Sequence, residues 1–199
     1  ETVRAMDVLV RQGKILYWGT SEWPADRIRE AYLIAYKFNL TPPSMEQPEY
    51  NMFNRLKIEK DYLGLFNSEG LGTTIWSPLA SGILTGKYNN SIPKDSRMNI
   101  PQYKFLRAQL ESEEGQHKIE KVKQLSSIAS NIGISMAQLS IAWCLKNKNV
   151  STVILGATNT KQLDENLLSI NHKKLLDDTI MNEIDKVLDN KPTPEQDLL

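Results

Sequence analysis

Hydrophobic positions along the chain switch between two periods. Over residues 2–13, Val3, Met6, Leu9 and Val10 share one helical face, and Gly13 stops the pattern. Lys14–Ser21 (KILYWGTS) then reads as a strand ending in a glycine turn. Pro24–Asn39 returns to helical spacing, with Pro24 at its first position and Ile28, Ala31, Tyr32 and Ala35 as the apolar stripe. A short strand follows over Pro43–Tyr50, then a weaker helical pattern over 56–68 and a third strand over Thr73–Ala80.

From about Leu79 to Gly115 periodicity is lost, and Gly82, Gly86, Pro93 and Pro101 punctuate the stretch. One short helix fits within 103–111. Two helices are predicted over 117–131 and 135–147, separated by Gly133, the second capped by Ser135. Ser151–Gly156 (STVILG) is the fourth strand. Helices at about 160–169 and 176–189 precede a polar, proline-broken tail over 191–199.

The order is α, βα, βα, β–long loop–αα, βα and a terminal helix. Strands alternating with helices predict βαβ units, a parallel sheet and an α/β class. Four such units are half of an eight-stranded α/β barrel, whose usual length is about 250 residues. We expect the last four βα units of a (β/α)8 (TIM) barrel, all 199 residues belonging to that one domain. An open half barrel exposes strand edges and an apolar face, so association into a homo-oligomer is expected.

Composition narrows the partners. Lys+Arg and Asp+Glu are 24 each, for a formal net charge of zero, which argues against a nucleic-acid binder. Apolar runs reach only about five residues, too short to insert directly in a membrane. The single cysteine, Cys144, excludes an internal disulfide and suits a reducing, cytoplasmic setting. Cys144 lies beside Trp143 on an apolar helix and reads as inert core. His117 and His172 form no metal set with it, so no metal is expected.

In α/β barrels chemistry collects where strands end. Those ends here are Gly19–Trp23, Glu46–Pro48, Trp76–Leu79 and Gly156–Asn159. If the four strands are the barrel's last four, Thr152–Leu155 is strand eight, and the loops after strands seven and eight commonly build a phosphate site. The long loop would bring Lys87, Tyr88 and Arg97 to that face. The helix after Gly156 starts with Lys161 and Gln162, against the usual preference for acidic residues there. Cations, a hydroxyl and a helix N-terminus suit an anion; the alternative is a solvated Lys161 beside a plain linker. Trp76 fits core packing or a ligand wall equally. Tyr50 could stack on a flat heterocycle beside Gln47, or be an ordinary loop tyrosine.

The segments YWGTSEW, EQPEYNMF, WSPLASGILTGKY, SMAQLSIAWCL and VILGATNTKQLDEN, in this order, resemble the aldo-keto reductase family. ETVRAM, FNLTPP and LDNKP resemble its potassium-channel β-subunit branch. The resemblance implies a (β/α)8 barrel that uses NADP(H) to reduce small aldehydes and ketones. By it, Ser21 and Gln47 would bond the nicotinamide carboxamide, and Trp76, Ser77, Pro78 and Leu79 would line the cofactor channel. Trp76, ahead of Tyr50, would stack on the nicotinamide. Ser81 and Gly82 would lie beside the pyrophosphate, and Lys87 and Arg97 would reach phosphates. Gly156, Thr158 and Gln162 would hold the 2′-phosphate end, and Glu165 and Asn166 the adenine. The family's Asp–Tyr–Lys–His tetrad belongs to the first half of the barrel, so no catalytic residue is expected in this chain. There a tyrosine hydroxyl, its pKa lowered by the lysine, protonates the carbonyl oxygen. The branch also implies a second role, as an NADP(H)-sensing subunit docked on the cytoplasmic domain of an ion channel.

Overall fold

The computed structural model describes residues 1–193; residues 194–199 of the predicted tail lie outside the described residues. Four strands, β1 (Gly19–Ser21), β2 (Met45–Gln47), β3 (Gly72–Ile75) and β4 (Thr152–Val153), form one parallel sheet in the order β1-β2-β3-β4. Helices α1 (Thr2–Arg11), α2 (Ala25–Phe38), α3 (Leu63–Glu69), α4 (Lys104–Glu111), α5 (Glu113–Asn131), α6 (Met136–Lys146), α7 (Thr160–His172) and α8 (Asp178–Leu188) surround it. The predicted order of elements is the observed one. A parallel sheet with crossover helices is consistent with part of a (β/α)8 barrel.

Every strand is shorter than its apolar run. Lys14–Ser21 pairs only over Gly19–Ser21, and Ser151–Gly156 only over Thr152–Val153. β1 and β4 each have a neighbour on one side only, while β2 and β3 have two and still pair only over Met45–Gln47 and Gly72–Ile75. Leu16 and Tyr17, read as strand residues, are 81% and 77% exposed.

Helix boundaries follow their caps. Pro24 is the N-cap of α2 rather than its first residue, and Asn39 closes that helix in the left-handed region. Ser135 and Gln138 form a reciprocal capping box on α6. The 56–68 pattern splits into a π-helical turn, Lys57–Asp61, and α3. α5 starts at Glu113, four residues earlier than the sequence suggests. Ser112 caps it, and Gly115 sits inside its first turn. There the end of α4 approaches so closely that a Cβ on Gly115 would lie 2.2 Å from the Gln109 carbonyl oxygen. The glycine that looked like the end of a loop is a packing contact between two helices.

The main core lies between the sheet and the helices, with Ile28, Ile58, Leu65, Ile75, Leu125, Leu139 and Trp143 all buried. Cys144 is buried there, its thiol pushed up by desolvation, as an inert core residue should be. A smaller core fastens the long loop to α4 and α5, formed by Tyr88 and Met98 with Leu110 and Ile119.

One buried charge cluster crosses the main core. Arg55 pairs with Glu59 and with Asp185 of α8, each at 2.8 Å, and its guanidinium lies 5.1 Å from the Trp143 ring. Burial works against the Arg55 charge, but the two carboxylates outweigh it. Removing the cation strands two half-buried anions. Arg55→Ala should therefore lower the unfolding free energy by about 3–5 kcal/mol, read from urea denaturation. An unchanged midpoint would show that the cluster contributes nothing net.

Candidate functional site

The pleat of the sheet sorts side chains onto two faces. Thr20, Glu46, Thr73 and Ile75 point toward the helices and are buried. Ser21 and Gln47 alternate to the opposite face, where they are paired across β1 and β2. The Ser21 hydroxyl donates to the Gln47 carbonyl at 3.2 Å. Trp76 follows β3 on that same face and is 37% exposed. These three predicted residues therefore converge at the C-terminal ends of neighbouring strands.

The loop after β3 is strained. Ser77, Ala80 and Ser81 have φ of 57°, 45° and 56°, and Gly82 follows at 94°. Non-glycine residues held left-handed gather at functional sites, where surrounding contacts must enforce them. Asn51 supplies one such contact. It is fully buried, donates to the Ser77 carbonyl at 3.1 Å, and accepts from the N–H groups of Phe53 and Asn54. Pro78 is buried and Leu79 half-buried, so of the expected channel wall Trp76 presents the most open surface.

Gly82 gives space rather than a donor. Its N–H is committed to the Leu79 carbonyl at 2.8 Å, while a Cβ there would meet the Lys87 Cε and Nζ at 3.0 Å. Lys87 thus lies against the glycine turn. Burial, then the nearby Arg97, lowers its ammonium below the ordinary value. Neither Lys87 nor Arg97 has a carboxylate partner among the described residues; Lys87 leans on the Tyr88 ring and Arg97 on Tyr103. Two neighbouring cations with no counter-charge suit an anionic ligand.

The last group sits around the start of α7. Asn159 caps the helix by accepting from the Gln162 N–H at 2.9 Å. The Gln162 side-chain oxygen accepts from both the N–H and the hydroxyl of Thr158, each at 3.0 Å. That leaves its amide NH2 outward. Asn166 is buried and reaches the Gly156 carbonyl at 3.5 Å, and Glu165 is held through its carbonyl by Gln138. Lys161 is exposed on the helix surface. Among the described residues, no hydrogen bond or ion pair joins this group to Lys87 or Arg97.

Tyr50 is a correction. It is 1% exposed, stacks on Trp143 at a centroid distance of 5.1 Å, and donates its hydroxyl to Glu59 at 2.8 Å. A ring so placed cannot stack on a ligand; it belongs to the core.

The sequence profile of the Aldo/keto reductase family matches residues 1–189. The chain belongs to this family. Aldo/keto reductases are oxidoreductases that generally use NAD(P)H, so the converging strand ends are those of an oxidoreductase fold. No group of three or more His, Cys, Asp or Glu able to hold a metal occurs among the described residues. No single helix among them is long and apolar enough to cross a membrane.

Two residues of this candidate site were not singled out from the sequence. Asn51 lies within the EQPEYNMF segment, but nothing in that segment marks it as the residue that holds the Ser77 carbonyl. Glu22 stands in a strand end, but its partners come from three other segments. Its Oε1 accepts from the Trp76 indole N–H at 3.0 Å and from the Glu49 N–H, and its Oε2 pairs with Lys57. Burial works to raise the Glu22 carboxyl; the bonds from Lys57, Glu49 and Trp76 outweigh it and hold it below the ordinary value.

Beneath the site Glu46 is fully buried, bonded by the Thr20 hydroxyl and by the Trp23 N–H at 3.1 Å. Desolvation raises its pKa above the ordinary 4.5 despite those bonds. The folded state thus holds this proton to higher pH than the unfolded chain. Stability is full below 4.5 and falls as pH rises through the folded-state value. Glu46→Gln should remove this loss. Urea denaturation across pH 4 to 8 should show the variant gaining on the wild type as pH rises; parallel profiles would refute it.

Proposed function

We propose that this chain is the cofactor-holding half of an NADP(H)-dependent aldo-keto reductase acting on small aldehydes and ketones. The observation that carries the reading is a pair of neighbouring cations without a carboxylate partner among the described residues: Lys87, packed against the left-handed Gly82, and Arg97 close enough to disfavour the Lys87 charge. A dinucleotide phosphate fits that charge and that space. Ser21 and Gln47 would bond the carboxamide, Trp76 would cover the nicotinamide, and Leu79 would extend the channel wall over the buried Pro78. Lys87 and Arg97 would neutralise phosphate. Thr158 and the outward amide of Gln162, with Gly156, would receive the 2′-phosphate end, and Glu165 and Asn166 the adenine.

When bound, NADPH supplies a hydride to the carbonyl carbon of the substrate. The residues of this chain bind and orient that cofactor. The Asp–Tyr–Lys–His tetrad implied by the family lies outside this sequence. Two features support a missing complement. The outer strands β1 and β4 are unpaired on one side, and apolar side chains stand open near both: Leu16 and Tyr17 before β1, Leu167 and Ile170 on α7. A second half barrel from the same longer protein would cover them.

A second reading follows the potassium-channel β-subunit branch: an NADP(H) sensor docked on a channel's cytoplasmic domain. It rests on the resemblance of ETVRAM, FNLTPP and LDNKP to that branch. Turnover separates the two readings; a sensor binds the cofactor with little useful turnover.

NADPH should bind the purified protein more tightly than NADH in a fluorescence titration. Arg97→Ala should weaken NADPH by about tenfold or more, the value of a charge-assisted contact. Lys161→Ala should leave it within about twofold. Equal affinity for NADPH and NADH would defeat the 2′-phosphate site at Gly156, Thr158 and Gln162.

A further inference from the structure

We propose that Glu22 is a positioning residue that fixes the orientation of the Trp76 indole, and through it the wall of the cofactor groove. The functional half of this inference rests on the reading above; the structural half does not. Trp76 is the most open tryptophan in the chain: Trp18 and Trp143 are buried and Trp23 is half-buried against the core. The indole's one polar atom is bonded to Glu22 at 3.0 Å, the single directional contact that fixes which way its N–H points.

The carboxylate is itself over-determined. Besides Trp76 it takes the Glu49 N–H from the loop after β2 and the Lys57 ammonium from the π-helical turn. Lys57 also donates to the Glu22 carbonyl at 3.2 Å. One side chain thus connects the ends of β1, β2 and β3. It does so from a left-handed backbone, φ 61°, which a long charged residue does not adopt without cause. An ion pair this exposed contributes little to stability. A strained backbone kept for a weak surface pair is better explained by what the carboxylate aims.

The test uses the purified protein without nucleotide, then with NADPH. The indole N–H resonance is assigned by its disappearance in Trp76→Phe. In the wild type that proton should be protected from hydrogen exchange. Glu22→Ala should abolish the protection and raise the NADPH Kd by about tenfold. Glu22→Gln keeps an oxygen for Trp76 and Glu49 and should retain both. Lys57→Met leaves Oε1 untouched and should also retain the protection. A wild-type indole N–H that exchanges freely overturns the proposal without any Glu22 variant. So does protection that survives in a folded Glu22→Ala. If protection is lost but NADPH affinity is unchanged, the role in the cofactor wall is overturned. If the wild type does not bind NADPH, the cofactor reading fails and the exchange data still decide whether Glu22 holds the indole.

Discussion

The buried guanidinium of Arg55 is the contact on which the rest of the site depends. A cation in the interior must be matched by anions and hydrogen bonds, and here these come from distant parts of the chain. Glu59 is four residues away, Asp185 lies on α8, and the Asn190 side chain both accepts from Arg55 and donates to the Met52 carbonyl. Tyr50 completes the group, bonding Glu59 and Asn147 while stacking on Trp143. The segment from Tyr50 to Glu59 is therefore clamped between the sheet and the last helix. Asn51, inside that segment, holds the left-handed Ser77. Strain in the loop after β3 is sustained by ionic contacts well away from it in sequence.

The two faces of the sheet divide the work. The helix-facing side is closed by Thr20, Glu46, Thr73 and Ile75, with polar groups there mostly satisfied internally. The other side presents Ser21, Gln47 and Trp76 together at the strand ends. This division places the candidate binding groups at the ends of a rigid ladder, while Lys87 and Arg97 arrive on a loop braced by a small core shared with α4 and α5. A loop so braced can present two cations to one place despite their repulsion.

Much of this was legible in the sequence. The α2 stripe of Ile28, Ala31, Tyr32 and Ala35 is buried as its spacing predicts, and Ser135 caps α6. The grouping of Ser21, Gln47 and Trp76 follows from strand ends and period two. Other features were not legible. Tyr50 lies beside Gln47 in a strand-end motif, yet Trp143, Glu59 and Asn147 draw it into the core. Gly115 looks like loop punctuation but is the contact point of α4 on α5. Strand lengths were overestimated because strands end where hydrogen-bonding neighbours end, which the apolar run holding the exposed Leu16 and Tyr17 does not show.

By itself, the sequence determined the alternation of helices and strands, the parallel class, the Ser135 cap of α6 and the family motifs. Each is set by local spacing or by short-range hydrogen bonding. Only the tertiary structure decided which aromatic ring stays open, which carboxylate holds it, and which cations remain without counter-charges. Those outcomes depend on side chains far apart in the chain competing for the same partners. Glu22, Glu49, Lys57 and Trp76 meet because four segments fold to one place, and no local pattern encodes that meeting.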